Sequence, residues 1–372
     1  MFRQVQEDIK KVLYSQWRPI ILILGARQTG KTTLAQSLAD PGKTIHFDFD
    51  LLDDIHRFSS MDRESLHIFA KANQGKYILI DEIQKYPSAT ATIKYLYDNF
   101  KTDYLKFVLT GSSEIKIRHG LGDTLTGRVY EVKLYPLSLT EIGVQSGLSD
   151  NTQEAQLQLR KYLVYGSLPA SQNLPLTEYP GFLREYVNNV LSKDALEFGK
   201  IRKSAQIFLL AKLLAGQVGQ LVNFNELAMN TQLNRETVMR FIDIFEQLGL
   251  VYRVSPISTN EREAITKATK IYFTDLGIRN SLVNNFDDFN VRLDRGQILE
   301  NAVFMGMKRQ LDYQRYPYQL GFFRSSSGSE IDIVKKTRES QELFEVKSSS
   351  RRTKKLGSVT YVSTENAVQY LK

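Results

Sequence analysis

Cysteine is absent from the 372 residues, which excludes disulfides, thiolate zinc sites and cysteine nucleophiles. The absence fits a reducing compartment. Histidine is scarce, with four residues and none at a metal-type spacing, so no structural zinc site is expected. Long apolar runs are missing near the start, where Ile20–Leu24 spans five residues against the roughly 20 needed to cross a bilayer. The opening MFRQVQEDIKKVLYSQW mixes acids, bases and amides and has no apolar secretory core. These gaps lead to the expectation of a soluble, cytoplasmic protein with no membrane partner.

What is present is ordinary for a globular chain, 42% hydrophobic and 24% charged. The length suggests two or three domains at about 100–200 residues each. The formal charge is +8, and it is unevenly spread. Between Val334 and Lys355 eight bases (Lys335, Lys336, Arg338, Lys347, Arg351, Arg352, Lys354, Lys355) face three acids (Glu339, Glu342, Glu345). Such a basic stretch suits a phosphate backbone and points to DNA as a partner. A solvated, Lys-rich surface is the competing reading, and charge alone does not choose between them.

Pro19–Leu24 has the pattern of a buried strand and runs into Gly25-Ala-Arg-Gln-Thr-Gly30-Lys31-Thr32. This is G-x-x-x-x-G-K-[ST] between a strand and the helix-forming run Thr33–Ala39, the context that a phosphate-binding loop requires. Gly25 and Gly30 let the backbone curl so that the N–H groups of Gly25, Gln28, Thr29, Gly30, Lys31, Thr32 and Thr33 surround a triphosphate. The helix beginning near Lys31 adds its positive end. Lys31 is expected to reach the β- and γ-phosphates, and the Thr32 hydroxyl to ligate Mg²⁺, with ATP as the nucleotide.

Tyr77-Ile-Leu-Ile80 followed by Asp81-Glu82 is the Walker B pattern, about 50 residues further on. Asp81 would hold the metal and its water shell, and Glu82 would orient or deprotonate the attacking water. A third apolar stretch, Leu105–Leu109, ends in Thr110-Gly-Ser-Ser113, where Thr110 or Ser112 suits a γ-phosphate sensor. A serine helix cap is the alternative there. Arg128, after Gly127, suits a sensor or an arginine finger acting on a neighbour's nucleotide, and a surface arginine competes with that reading.

The Gln/Ser-rich stretch after Glu141 reads as a linker entering a helix over Leu157–Val164, which stops at Tyr165-Gly-Ser-Leu-Pro169. Another helix is expected from Pro180 to about Glu197. Helices at Ala205–Gln217, Asn225–Thr231 and Arg235–Leu248, then a strand at Gly249–Val254, make the layout of a winged helix. Arg235 and Arg240 lie on its would-be recognition helix, although Glu236, Asp243 and Glu246 share that helix.

In the last hundred residues, Lys270–Ile278 reads as a strand entering a turn and Gly296–Gln310 as an amphipathic helix carrying Glu300. Strands are expected around Gly321–Arg324, Glu330–Val334 and Glu342–Lys347, with a polar turn at Ser325–Ser329. Strand alternation puts Glu345 and Lys347 on one face. Asp332 and Glu345 would then hold Mg²⁺ between them, Glu300 would complete the site, and Lys347 would position or activate the water attacking a phosphodiester. Ordinary strand-end acids are the bland alternative.

From the spelling Gly25-Ala-Arg-Gln-Thr-Gly-Lys-Thr-Thr33 onward, the chain resembles prokaryotic AAA+-related ATP-binding proteins whose ATPase core precedes a C-terminal domain of unknown function. The resemblance spans nearly the whole chain. It includes Ile80–Gln84, Leu109–Ser113, Gly127-Arg128, Tyr135–Leu137, Gly166–Pro169, Lys270–Gly277, Leu299–Asn301 and Arg324 through Glu330-Ile-Asp332 to Glu345-Val-Lys347. The family's C-terminal part is similar to PD-(D/E)xK nucleases, which implies metal ligation by Glu300, Asp332 and Glu345 (Mg²⁺ or Mn²⁺) and a catalytic Lys347. Two positions depart from the family pattern: Ser167 stands where a second glycine is usual, and the sensor strand ends in Thr-Gly-Ser-Ser rather than asparagine.

The expectation is an α/β protein. A P-loop, AAA+-like core over 1–145 is followed by a helical lid or linker over 146–200, a winged-helix-like segment over 201–258 and a restriction-endonuclease-like α/β domain over 259–372. Two functions fit. One is an ATP-hydrolysing protein acting on DNA through its nuclease-like domain, and the other a nucleotide-switched binding or regulatory protein whose nuclease-like fold is catalytically silent. A homo-oligomer is expected if Arg128 serves a neighbour.

Overall fold

In the computed structural model the apolar run Ile20–Leu24 forms strand β1, buried along its whole length. A strand covered on both faces takes a continuous apolar sequence rather than alternation. The structure describes residues 2–100, 105–112, 125–146, 152–195, 204–257, 269–325, 329–348 and 359–372. They divide into two compact units, Met1–Tyr135 and Pro136–Lys372.

In the first unit β1 is joined by β2 (Thr44–Asp48), β3 (Tyr77–Asp81), β4 (Lys106–Gly111) and β5 (Val129–Lys133). Their order is β2-β3-β4-β1-β5, with every pairing parallel. The helices are α1 (Gln6–Leu13), α2 (Lys31–Ser37), α3 (Leu52–Ser59), α4 (Arg63–Ala72) and α5 (Ala89–Asn99). Because β4 lies between β1 and β3, the C-terminal ends of these three strands share one edge, the ligand-binding edge of open parallel sheets. Behind it, Phe47, Phe49, Phe58, Ile78, Ile80, Phe107 and Leu109 pack into one apolar cluster.

The second unit opens with α6 (Leu139–Ser146) and α7 (Thr152–Tyr165). The stretch read as a linker is therefore largely helical: residues 143–146 finish α6 and residues 152–158 begin α7. Residues 147–151 lie outside the described set. A capping box starts α6, in which the Ser138 N–H donates to Glu141 Oε2 at 2.9 Å and the Glu141 N–H to Ser138 Oγ at 3.0 Å. Helix α8 (Tyr179–Asn189) passes into a π-helical turn, Val190–Ala195.

Helices α9 (Ser204–Gly216), α10 (Phe224–Thr231) and α11 (Arg235–Gln247) lead to the antiparallel pair β6 (Val251–Val254) and β7 (Lys270–Phe273). Leu221 bridges to Lys270 on the free side of that pair. Then follow α12 (Leu276–Leu282), α13 (Arg295–Gln314), β8 (Gln319–Arg324), β9 (Glu330–Lys336), β10 (Gln341–Val346), β11 (Val359–Val362) and α14 (Val368–Leu371). The last four strands form one sheet, order β11-β10-β9-β8, antiparallel except for β10 with β11.

Helix α13 corrects an expectation. It is not amphipathic but buried from Ile298 through Arg309 on nearly every face, as a helix in the middle of a unit must be. The turn at Gly166 (φ +70°) is held by Asp275, which accepts from the Ser167 N–H at 2.7 Å and caps α12 through Ile278 N–H at 3.2 Å. Helix α12 also satisfies carbonyls at the C-terminal ends of two others. Asn280 Nδ2 donates to Leu163 O and Val164 O, and Arg279 Nε to Ala215 O at 2.7 Å. Among the described residues no helix is long and apolar enough to cross a membrane.

Candidate functional site

The loop between β1 and α2 is shaped by backbone conformations that few residues tolerate. Gln28 and Gly30 have φ of 60° and 86°, and a side chain at Gly25 would overlap the carbonyl oxygen of Leu134. Thr29 is buried and its hydroxyl donates to Ala26 O at 2.8 Å, closing the loop on itself, while the Gln28 and Thr33 side chains are exposed. Lys31, first residue of α2, is buried with its ammonium 3.0 Å from Ala26 O. Burial lowers its pKa, and the nearby carboxylates of Glu82 and Asp81 oppose that.

The shared strand edge brings the other motif residues together. Thr32 Oγ1 donates to Asp81 Oδ2 at 2.5 Å, and the Thr110 hydroxyl donates to the other Asp81 oxygen. Glu82 has φ of 51°, a left-handed conformation unusual for a side chain of this size. Its N–H donates to Thr110 Oγ1 at 3.3 Å, and its carboxylate accepts from Ser112 Oγ at 3.2 Å and from the Gln84 amide. Gln84 Nε2 also reaches Ser112 Oγ at 2.9 Å. Thr110 thus sits on the Asp81 side of the site and Ser112 on the Glu82 side. Ser113 lies outside the described residues.

Nucleotide and Mg²⁺ are implied by this loop, and the residues fit them. A buried ammonium, a loop whose Gly25 has no room for a side chain, and the paired hard oxygens of Thr32 and Asp81 are the donor set that a metal-bound triphosphate needs.

Residues 17–143 match the family model described as AAA domain. The N-terminal fold is that of an AAA-type P-loop domain. Residues 156–288 and 295–368 match two further models, each described as a domain of unknown function (DUF8612 and DUF4143). The uncharacterized protein Rv2008c of Mycobacterium tuberculosis is 26% identical over 333 residues, covering 89% of this chain and 71% of its own length. The uncharacterized protein MJ1637 of Methanocaldococcus jannaschii is 23% identical over 366 residues, covering 89% and 76%. Among solved structures, the Aeropyrum pernix ORC1 protein in complex with DNA aligns at 14% identity and TM-score 0.31, over 76% of this chain and 91% of its own. The Thermotoga maritima RuvB branch migration motor aligns at 15% and 0.33, over 67% and 88%.

Arg128 stands apart from the phosphate loop of its own AAA domain. It precedes β5, and its carbonyl accepts from the N–H of Ile20, the first residue of β1. The loop begins at the other end of β1, about 13 Å of strand away. The guanidinium makes a two-pronged bond to Asp98 on α5, at 2.7 and 3.0 Å. Arg3, in contrast, is fully buried beside the loop and donates to Thr29 O at 2.7 Å and Tyr135 O at 2.6 Å. No local pattern marks Arg3 as a site residue, and Gln84, which closes the segment Ile80–Gln84, carries no role in the sequence reading.

In the second unit Glu300, Asp332, Glu345 and Lys347 belong to one cluster. Glu300, on α13, accepts from Lys270 Nζ at 2.9 Å and from the Tyr272 hydroxyl at 2.5 Å. Burial and then the Asp332 charge push its carboxyl up, Lys270 and Tyr272 pull it back, and it settles at about 6. Asp332 accepts from the Val346 N–H at 2.8 Å, and Lys347 pairs with Glu345 at 2.9 Å. Burial raises the Asp332 pKa, with Glu345 adding to the effect. Burial opposes the charge on Lys347, but Glu345, Asp332 and Glu300 outweigh it and its pKa is raised. Among the described residues no group of three or more His, Cys, Asp or Glu is placed to hold a metal ion. The basic residues Arg351, Arg352, Lys354 and Lys355 lie outside the described set.

Proposed function

We propose that this chain is a Mg²⁺-dependent ATPase of the AAA type that uses its nucleotide state to act on DNA. The observation that carries the reading is the meeting of Thr32, Asp81, Thr110 and Glu82 beside the buried Lys31. Lys31 holds the β- and γ-phosphate oxygens, Thr32 and Asp81 hold the metal, and the loop N–H groups take the remaining phosphate charge. Glu82 orients the attacking water and accepts its proton, while Thr110 or Ser112 senses the γ-phosphate. Glu82→Gln keeps the shape and removes the base. It is expected to bind ATP as the parent does and to turn it over about 10²-fold more slowly or less. Equal turnover in the two proteins would sink the assignment of Glu82.

DNA contact is assigned to α9–α11 with β6, β7 and the Leu221 bridge, whose order is that of a winged helix. Asp243 and Glu246, which count against a phosphate-facing helix, are both tied to Arg253. The exposed face of α11 then carries Arg235 and Arg240 beside Glu236. The domain limits near 145, 200 and 258 belong to this same reading, as does a cytoplasmic location. Arg128 lies far from its own loop and serves a neighbour's nucleotide, so the working form is a homo-oligomer.

The helix followed by three antiparallel strands and a fourth, carrying Glu300, Asp332, Glu345 and Lys347, supports a PD-(D/E)xK-like fold over 259–372. Of the two uses of such a domain, cutting or silent binding, one observation favours the second: the Glu300 carboxylate is already bonded to Lys270 and Tyr272. Plasmid cleavage in Mg²⁺ or Mn²⁺ that is lost in Asp332→Ala and Lys347→Ala would restore the first.

A further inference from the structure

Strand β7 presents Lys270 and Tyr272 on the same face, two residues apart, and both reach Glu300. Lys270 is almost wholly buried, at 1% exposure. Its ammonium lies 2.9 Å from Glu300 Oε1, 2.7 Å from Glu330 Oε1 and 5.2 Å from the centre of the Phe322 ring. Burial works against the charge on this lysine, and the two paired carboxylates outweigh it, so its pKa is raised.

We propose that the Lys270 ammonium is the resident cation of the C-terminal acidic cluster, standing where a nuclease-like site would take a divalent metal and thereby excluding one. The inference rests on reading this domain as nuclease-like in fold, and it gives a physical reason for the silent use of that fold.

Three features support it. First, the carboxylates are already engaged: Glu300 and Glu330 with Lys270, Asp332 with the Val346 N–H, Glu345 with Lys347. Second, the charge is nearly balanced. Glu300, Glu330, Asp332 and Glu345 face Lys270, Lys347 and Arg324, the last 3.8 Å from Glu330, so little net negative charge remains to draw a divalent ion. Third, the ammonium has no easy exit. The Lys270 backbone is pinned between Val254 and Leu221, and a displaced lysine would stay buried with its partners taken.

The test is Mn²⁺ binding to the full chain without nucleotide, followed by electron paramagnetic resonance of the free ion. The parent is expected to show no Mn²⁺ binding that depends on Asp332. Lys270→Gln is expected to gain one ion per chain, bound about 10-fold tighter or more, and to lose it again when Asp332→Asn is added. Thermal melting shows whether Lys270→Gln folds. If it does not, the parent measured against Asp332→Asn decides alone. Mn²⁺ bound by the parent and lost in Asp332→Asn would overturn the proposal, as would a folded Lys270→Gln that gains none. Plasmid cleavage in the same samples separates the two claims. Asp332-dependent metal without cleavage overturns the role of Lys270 and leaves the silent reading standing, whereas Asp332-dependent cleavage by the parent overturns both.

Discussion

Arg3 is a charged side chain with no exposed surface, and its guanidinium binds the backbone of the phosphate loop at Thr29 and the end of the sheet at Tyr135. Truncating it removes two buried hydrogen bonds to backbone carbonyls, at about 1–3 kcal/mol each. Arg3→Ala is therefore expected to lower the unfolding free energy by about 2–6 kcal/mol, read from urea denaturation. Its KM for ATP should rise more than its kcat falls, since the loop and not the base is disturbed, and Arg3→Lys should recover part of the loss. Gly25→Ala should be harsher, because the added methyl overlaps Leu134 O. A fluorescent ATP analogue is expected to bind the parent and not this variant.

At the scale of elements, α12 works as a keystone within its unit, and its charges give a pH signature. Burial would raise the Asp294 pKa, but hydrogen bonds from Arg292 and Arg279 outweigh it and hold the carboxyl at about 2. A carboxylate held below its unfolded value adds stability that is present above pH 4 or so and fades as the pH falls toward 2. After allowance for solvent screening the contribution is about 1–2 kcal/mol. Asp294→Asn should be less stable than the parent by that amount at pH 5, in urea melts, and the gap should narrow steadily toward pH 3. A gap independent of pH would contradict the assignment.

Elements with a continuous or strictly periodic pattern were readable in advance: β1, β3, β4 and α9–α11 fall within a residue or two of their expected places. Strand β2 was not, because Thr-Ile-His-Phe-Asp is a half-covered edge strand with no apolar run. The helical character of 143–146 was hidden by Gln and Ser, although Ser138-Leu-Thr-Glu141 spells the capping box that starts α6. Motif spacing led to the residues around Asp81, since the C-terminal ends of parallel strands lie along one edge whatever their order in the sheet. Lys270 and Arg3 escaped because each acts on a partner 26 or more residues away, Glu300 and Thr29 respectively. Spacing says nothing about such contacts.

For the whole molecule, ATP turnover is proposed to be coupled to DNA binding. Replacing Arg235 and Arg240 by Ala should weaken duplex DNA binding across sequences alike. It should also flatten the dependence of log affinity on log salt by about 2 if both contact phosphates. An unchanged slope would remove α11 from the interface. The most direct test of the central claim is steady-state phosphate release from Mg-ATP by the full chain, with and without duplex DNA, beside Lys31→Ala. Release by the parent is expected to respond to DNA and to vanish in Lys31→Ala. Release of equal rate from Lys31→Ala would contradict the claim outright.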